Sequence, residues 1–193
     1  MSKSLFLQNV IAVIWDFDKT LSPHYMQAPL FNHYGISEAD FWAESNALPA
    51  YYSRAGITVQ RDTCYLGHLL TYVQHGVMPG LSNALLRELG AQIQFYDGIP
   101  QIFFNLKAIL SAPKYQEGDL HLEHYVVSTG LAEMIRGSAV APYLSGIWAS
   151  EFIETPAPPG YSPDDTPASG VITQIAGFLD NTTKTRAIFE INK

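Results

Sequence analysis

The chain has 193 residues, of which 47% are apolar and only 15% are charged, and its formal net charge is −7. This length allows one sizeable hydrophobic core with a small inserted domain. The acidic balance and the lack of any lysine or arginine cluster exclude nucleic acid as an expected partner, and no apolar run reaches the roughly 18 residues of a membrane helix. A single cysteine, Cys64, is expected to be a small buried residue in a reducing, cytoplasmic compartment.

The first predicted element is a strand at residues 10–15, with the sequence VIAVIW. A continuous apolar run rich in β-branched residues is typical of a strand that is buried on both faces in a parallel sheet. The residues that precede it, from Lys3, are expected to lead into this strand and not to form a signal peptide. Gln8 and Asn9 interrupt the apolar run there, and no small-residue cleavage site follows.

Two aspartates, Asp16 and Asp18, follow this strand directly. Since side chains alternate along extended backbone, both aspartates are expected on one side and Phe17 on the other. Two carboxylates this close repel each other unless a cation lies between them, and Mg²⁺ is commonly bound by one or two carboxylates plus phosphate oxygens. An aspartate can also attack phosphorus as a nucleophile. The pair predicts such chemistry, and the simpler alternative is a strand that ends in a polar turn.

A long helical insertion is predicted at residues 22–97, because a simple crossover between parallel strands needs far fewer residues. Ser37 begins a capping box, and the helix that it opens is expected to end at Pro49. An apolar stripe at residues 65–73 predicts a second helix. Ser82 is expected to cap a shorter third helix.

The rest of the chain alternates strand and helix patterns, which indicates an open α/β sheet with its ligands beyond the carboxyl ends of the strands. The further predicted elements are a crossover helix at 98–112, strands at 124–128, 146–153 and 171–175, an exposed proline-rich loop at 155–170 and a helix at 183–193.

The motif Asp-x-Asp-x-Thr within DFDKTL, formed by Asp16, Asp18 and Thr20, resembles the first motif of the haloacid dehalogenase (HAD) superfamily of phosphohydrolases. DFDKTL is common in its phosphoserine-phosphatase-like subgroup. The resemblance implies that Asp16 attacks phosphorus and that Asp18 is the general acid/base. It also implies a Mg²⁺ cofactor held by Asp16 and Asp18, and a place for Thr20 among the phosphate-binding residues.

Two further family motifs have counterparts downstream. Ser128 in VVSTG resembles the second motif, with Thr129 and Gly130 beside it, where a hydroxyl and the N–H groups of a starting helix hold a phosphate oxygen. Lys184 resembles the third motif, whose charge balances the nucleophile and the phosphoryl oxygens. Taken alone, these segments are typical of an ordinary turn and a surface lysine.

The resemblance implies a HAD-like Rossmannoid core with a parallel sheet, formed by residues 1–21 and 98–193, and a helical cap at 22–97. In the family such a cap closes over the site, excludes water and supplies substrate contacts. Four cap side chains are candidates for those contacts, although each is more typical of an ordinary surface or helix residue: His24, Arg54, Arg61 and His68.

The family's fourth motif, an acidic pair after a further strand, has no evident counterpart. Asp164 and Asp165 form an acidic pair but lie in the proline-rich loop, and Asp180 precedes Lys184. The prediction is therefore a C-terminally incomplete core, shortened from a longer phosphatase. In that form the strand at 10–15 is expected to be an exposed sheet edge, which favours pairing with a second copy of the chain.

The predicted function is Mg²⁺-dependent hydrolysis of a small phosphorylated substrate, a phosphomonoester, through an aspartyl-phosphate intermediate. The alternative is a non-catalytic HAD-like protein that binds phosphate or a partner, or self-associates, without turnover. A phosphomutase also stays open. A carbon dehalogenase is disfavoured because it needs no second acid/base aspartate, whereas Asp18 is present.

Overall fold

A four-stranded sheet organises the molecule, whose computed structural model describes residues 9–116 and 119–192. The strand order is β1-β2-β3-β4, in which β1, β2 and β3 run parallel and β4 is antiparallel to β3. This mixed α/β arrangement with a mainly parallel sheet agrees with the predicted fold class. The strands are β1 (Val10–Trp15), β2 (His121–Leu131), β3 (Gly146–Ile153) and β4 (Gln174–Gly177).

The strand predictions hold for β1 and β3, which have the predicted bounds. The segment from Lys3 to Gln8, expected to lead into β1, lies outside the described residues. The prediction that the second strand ends at Ser128 is wrong, because β2 continues to Leu131. The register with β3 shifts after Val127, and Leu131 pairs again with Ser150, so that the polar residues lie within an irregular stretch of strand.

The last strand and the loop before it form the expected hairpin with β3. β4 lies about three residues later than predicted, at Gln174–Gly177, and pairs antiparallel with β3. The described residues place β1 at one edge of this sheet, paired with β2 alone. Among the helices of residues 9–116 and 119–192, none combines the length and the apolar character that crossing a bilayer requires.

Helices fill the segment between β1 and β2, as predicted. The Ser37 hydroxyl accepts a hydrogen bond from the Asp40 N–H, and the Ser82 hydroxyl accepts one from Leu85, so both predicted N-caps are confirmed. The first helix was not anticipated. The helices are α1 (Ala28–Tyr34), α2 (Glu38–Ser53), α3 (Cys64–Gln74), α4 (Asn83–Gly90), α5 (Gln101–Leu110) and α6 (Pro113–Gln116).

The prediction that Pro49 ends its helix is wrong, because α2 continues to Ser53. A proline inside a helix has no N–H for the carbonyl four residues earlier, which here belongs to Ser45. The Cys64 thiol lies 3.5 Å from that Ser45 oxygen and donates to it. The neighbouring helix thus partly satisfies the carbonyl that the proline leaves free.

The crossover helix α5 lies within the predicted range 98–112, and the two prolines around it act differently from the prediction. Pro100 lies just before α5 and not inside its first turn, and Pro113 opens α6. After β2 the chain forms α7 (Ala132–Gly137), and α8 (Lys184–Ile191) confirms the predicted last helix.

One hydrophobic cluster joins the insertion to the sheet. It contains Phe41 and Leu66 from the insertion together with Val126 and Met134 from the sheet and the helix after it. The division into a core and a cap at residues 22–97 remains a prediction, since these residues share one buried cluster.

Helix α4 of the insertion packs closely on α7, and this contact depends on two glycines. A Cβ at Gly90 would lie 2.2 Å from the Met134 carbonyl oxygen, and one at Gly137 would lie 1.8 Å from that of Arg87. Neither position has space for a side chain. The atoms in the way belong to the backbone, which cannot move aside as a flexible side chain can. The Arg87 guanidinium also pairs with the Glu133 carboxylate at 2.7 Å across this contact.

Candidate active site

The candidate site lies beyond the carboxyl ends of β1 and β2. Trp15, the last residue of β1, pairs with Val126 of β2, so that Asp16 and Ser128 both follow this common level of the sheet. Polar residues that leave neighbouring parallel strands at one level meet at one edge, which is where open α/β sheets bind ligands.

A tight turn after β1 separates the two aspartates from the core. The Phe17 carbonyl accepts hydrogen bonds from the N–H groups of Thr20, Leu21 and Ser22 at 3.3, 2.9 and 3.3 Å, while its ring is fully buried. Lys19 adopts a positive φ of 62° to close this turn. Phe17 therefore faces the core, while Asp16 is exposed and Asp18 is partly buried.

Asp16 forms an ion pair with Lys184, from the first position of α8 and 168 residues away in sequence. The Lys184 Nζ lies 2.6 Å from Asp16 Oδ1, and the Thr20 hydroxyl donates to Asp16 Oδ2 at 3.2 Å. The Asp16 side chain is 45% exposed and that of Lys184 is 23% exposed, so solvent and ligands can reach the pair. The structure therefore brings together three of the predicted site residues.

Asp18 is held differently, because its carboxylate turns toward the helical insertion. Its Oδ1 accepts a hydrogen bond from the Met26 N–H at 2.8 Å. Burial raises the pKa of Asp18 to about 7. The hydrogen bond from Met26 opposes that rise, the charge of Asp16 adds to it, and the nearby Lys184 ammonium weakly opposes it. The group therefore changes protonation near neutral pH.

This pKa implies that ionised Asp18 destabilises the metal-free protein. Below about pH 4 the carboxyl is largely protonated in both the folded and the unfolded chain. Above pH 7 it is ionised in both, and the buried charge lowers the free energy of unfolding. We expect Asp18→Asn, assayed in chelator, to gain about 2 kcal/mol relative to the wild type as pH rises from 4 to 8, which is roughly half of the full linkage value because Asp18 is only partly buried and solvent screens its charge. That gain corresponds to roughly 5 °C in Tm.

The measurement is Tm by circular dichroism at several pH values in this range. Asp164→Asn, which removes a carboxylate from the exposed proline-rich loop, is the matched control. A Tm difference between Asp18→Asn and wild type that is the same at every pH would contradict the prediction.

Ser128 lies close to this edge but is buried. It is only 1% exposed, and its hydroxyl oxygen accepts a hydrogen bond from the Gly130 N–H at 3.0 Å. Gly130 itself is tightly enclosed, since a Cβ there would lie 2.2 Å from the Met26 methyl carbon. Among the three residues predicted around the second motif, Thr129 and Gly130 line the cleft described next. Ser128 does not line it but accepts the hydrogen bond from Gly130.

A cleft of about 380 Å³ opens beside Asp18, between the insertion and the end of β2. Its wall includes a row of three aromatic rings in space. The ring centroids of Tyr25 and Trp42 are 5.1 Å apart, and those of Trp42 and Tyr65 are 5.5 Å apart. The Tyr65 hydroxyl donates to the Thr129 carbonyl at 2.7 Å. The lining residues are Asp18, Tyr25, Gln27, Trp42, Asn46, Asp62, Tyr65, Thr129 and Gly130.

Sequence reasoning missed most of this lining. Tyr65 was assigned to the apolar stripe of its helix, which is also true, since the residue is 6% exposed. Burial, and next the charge of Asp18, raise the pKa of Tyr65, so its hydroxyl is a hydrogen-bond donor and not a base. Residue spacing in the sequence does not distinguish a tyrosine that is buried in the core from one whose ring also lines a cleft.

The segment before α3 contacts the loop that leads into α8. The Asn181 side-chain amide donates to Asp62 Oδ2 at 2.7 Å. The Gln60 side chain also hydrogen-bonds Asp180. These contacts join the insertion directly to the loop that precedes Lys184.

The four cap candidates lie outside this cleft. His68 Nε2 lies 2.9 Å from Glu44, which also accepts from the Tyr72 hydroxyl, and His24 lines a separate cavity of about 290 Å³. Arg54 follows the end of α2, and Arg61 is exposed. The interpretation of these side chains as ordinary surface or helix residues agrees with this placement.

Two of the three acidic residues that were set aside as fourth-motif candidates, Asp180 and Asp165, accept hydrogen bonds from nearby backbone groups. Asp180 accepts hydrogen bonds from the Thr182 and Thr183 N–H groups at 2.9 and 2.6 Å, and those from Thr183 contribute most to lowering its pKa. Asp165 accepts a hydrogen bond from the Ser162 N–H within the proline-rich loop.

The metal-binding capacity of the site rests on two carboxylates. Residues 9–116 and 119–192 contain no group of three or more His, Cys, Asp and Glu side chains placed to hold a metal ion. Asp16 and Asp18 are nevertheless hard oxygen donors, and Mg²⁺ typically takes one or two carboxylates and completes its shell with water and phosphate oxygens. Asp18 is also destabilised by the charge of Asp16, which a cation between them would offset. The donor set thus fits Mg²⁺.

Comparisons with known proteins support the fold assignment. No protein-family model matches the sequence. An uncharacterized protein of Borreliella burgdorferi is 38% identical over 189 residues, which cover 96% of this chain and 66% of that relative, so the chain spans just under two thirds of its length. The crystal structure of a HAD family hydrolase from Salmonella enterica serovar Typhi matches with a TM-score of 0.55 at 12% identity, over 95% of this chain and 50% of that one. At this identity the likeness shows a common fold alone.

Proposed function

We propose that the protein hydrolyses phosphomonoesters through a covalent aspartyl-phosphate on Asp16. One observation carries this proposal: Asp16 forms a 2.6 Å ion pair with Lys184 at an accessible strand end, two residues from an aspartate whose pKa is about 7. A carboxylate nucleophile, a fixed cation and a group that can exchange protons near neutrality are the components that phosphoryl transfer requires.

In the first step a carboxylate oxygen of Asp16 attacks phosphorus and the bond to the alcohol oxygen breaks. Asp18, protonated, gives its proton to the departing alcohol oxygen. In the second step Asp18, now ionised, takes a proton from water, which attacks the same phosphorus and releases phosphate and the free Asp16 carboxylate. A carboxyl with a pKa of about 7 can serve both steps at neutral pH.

Two side chains stabilise the charge on the transferring group in this proposal. The Lys184 ammonium lies beside Asp16, where it could also pair with an oxygen of the phosphoryl group that Asp16 attacks. Fixed charge of this kind stabilises the transition state. The Thr20 hydroxyl orients the second Asp16 oxygen. Thr129 and Gly130, on the cleft wall, and Ser128 behind them would position the phosphate from the side of β2.

The residues that would hold Mg²⁺ are Asp16 and Asp18. When bound, the ion supplies charge neutralisation for the phosphoryl oxygens and for the two carboxylates. The fold supports the hydrolase part of the proposal, since the Salmonella protein of the same fold is described as a HAD family hydrolase.

The test is turnover of a generic aryl phosphate with Mg²⁺, with chelator, and with Mg²⁺ restored. We expect hydrolysis in Mg²⁺ that chelator removes and excess Mg²⁺ restores. The absence of any turnover in Mg²⁺, or turnover that chelator leaves unchanged, would contradict the proposal.

A second candidate function is self-association without turnover. In the part of the chain that the structure describes, β1 is an edge strand, and Val10 and Ile11 are 47% and 43% exposed. Exposed apolar edges favour pairing with another strand. Light scattering over a range of protein concentrations tests this candidate, and a monomer at every concentration would exclude it.

A further inference from the structure

We propose that the cleft beside Asp18 binds the alcohol portion of the substrate and selects phosphomonoesters whose alcohol carries a primary ammonium group and no carboxylate. This inference rests on the proposed function, because it identifies the cleft as the place where the leaving alcohol lies. It is carried by the charge, the aromatic rings and the unpaired acceptor of the cleft wall.

The lining is acidic. Two aspartates, Asp18 and Asp62, belong to the described residues that form the wall, and no lysine, arginine or histidine does. Because Asp18 is assigned to Mg²⁺ and to proton transfer, Asp62 is the carboxylate of the wall whose charge is left for a ligand cation. An alcohol that carries a carboxylate would meet repulsion from Asp62, and the Lys19 ammonium lies only at the outer end of the wall, over the Tyr25 ring. An ammonium group would meet an attractive potential instead.

The aromatic wall suits a cation. The Tyr25, Trp42 and Tyr65 rings are neighbours, and cations bind over the faces of such rings, best over tryptophan. The Lys19 ammonium already lies 4.1 Å from the Tyr25 ring centroid, so this wall holds a cation at its outer end. Trp42, further along, is only partly buried and is the ring on which a ligand cation would lie.

An unpaired acceptor points to N–H groups on the ligand. Gln27 is 2% exposed and lines the cleft, yet its Oε1 has no hydrogen-bond partner within residues 9–116 and 119–192. Its side chain also hydrogen-bonds the Tyr65 hydroxyl. The Oε1 atom is closed to solvent, so a ligand N–H reaches it only when the Gln27 side chain turns toward the cleft. Because a buried acceptor without a donor is costly, that contact favours a ligand N–H over an apolar group. This favours a primary ammonium over a fully methylated one.

Asp62 is positioned for this role by its contact with Asn181. The hydrogen bond at 2.7 Å uses Oδ2, and a carboxylate offers about four acceptor positions. The contact holds the carboxylate in a segment that is otherwise exposed, so that it can pair with a ligand cation without losing Asn181.

The test compares the binding of two isosteric phosphonates, which cannot be hydrolysed, by titration calorimetry in Mg²⁺. Aminopropylphosphonate ends in an ammonium group where butylphosphonate ends in a methyl group. We expect the amine to bind at least about fivefold more tightly. Equal or weaker binding of the amine, or no binding of either compound, would overturn the inference.

Asp62→Asn is the diagnostic variant, since an asparagine oxygen can still accept from Asn181 while the charge is lost. We expect it to reduce the fivefold preference to about twofold or less, and the matched control Asp164→Asn to retain it. A preference that survives in Asp62→Asn would overturn the role of Asp62 and with it the inference.

Turnover separates this inference from the proposed function. We expect aminoethyl phosphate to be hydrolysed with a kcat/KM about tenfold above that of propyl phosphate, and above that of phosphoserine, which adds a carboxylate. Hydrolysis of all three at similar rates would overturn the inference and leave the phosphatase assignment intact. A preference for the amine in binding, with no ester hydrolysed, would overturn the phosphatase assignment and leave the ligand selectivity intact.

Discussion

Asp16→Asn is expected to lower kcat for an aryl phosphate by at least about 10³-fold, because the amide cannot form the acyl-phosphate bond. Asparagine has nearly the size of aspartate, and its oxygen can still accept from Lys184 or Thr20, which contact the Asp16 carboxylate in the wild type. The loss should therefore appear in kcat while the Tm changes little. The measurement is steady-state kinetics in Mg²⁺ with a parallel thermal unfolding curve.

The covalent intermediate gives this prediction a second measurement. A rapidly quenched wild-type reaction should yield a phosphorylated peptide that contains Asp16, and the variant should yield none. Asp164→Asn, in the proline-rich loop, controls for the loss of one negative charge. Near wild-type turnover in Asp16→Asn, or label on a different residue, would remove Asp16 as the nucleophile.

Lys184→Met is expected to lower kcat/KM by about 10² to 10³-fold, the usual effect of removing one fixed stabilising group from a transition state. Methionine is unbranched and only one atom shorter than lysine, and it removes the charge that lies 2.6 Å from Asp16. Lys184→Arg keeps the charge but replaces a compact ammonium with a planar guanidinium, so a smaller loss of about tenfold is expected.

The control for this series is Lys107→Met, which removes a solvent-exposed lysine from α5. The charge dependence is the informative result: activity in the order wild type, arginine, methionine supports an electrostatic role. Equal losses in the arginine and methionine variants would indicate that Lys184 acts by packing, and an unchanged methionine variant would exclude it from the site.

Several elements follow from local chemistry and were predicted for that reason. The run VIAVIW forms β1 with the predicted bounds, and GIWASEFI forms β3. The Ser37 and Ser82 caps are local as well, because each hydroxyl needs only the N–H three residues later.

The wrong predictions have tertiary causes. Pro49 does not end α2, and the carbonyl that the proline leaves unpaired lies 3.5 Å from a thiol of α3, which can donate to it. β2 does not end at Ser128, because its neighbour β3 resumes pairing with it at Leu131. In both cases the contact comes from another element that is distant in sequence. Local sequence propensities do not include such contacts.

By itself the sequence determined that two carboxylates directly follow the strand β1, while their placement on one side of the chain rested on an alternation rule for extended backbone, and the chain turns after Trp15. It also determined that Lys184 begins a helix. Only the tertiary structure decided that Lys184 pairs with Asp16, that burial raises the pKa of Asp18, and that Trp42, Asp62 and Tyr65 line one cleft. The physical reason is that distance, burial and charge at this site depend on how α3, α8 and β2 pack around it, and these segments meet only in the folded chain.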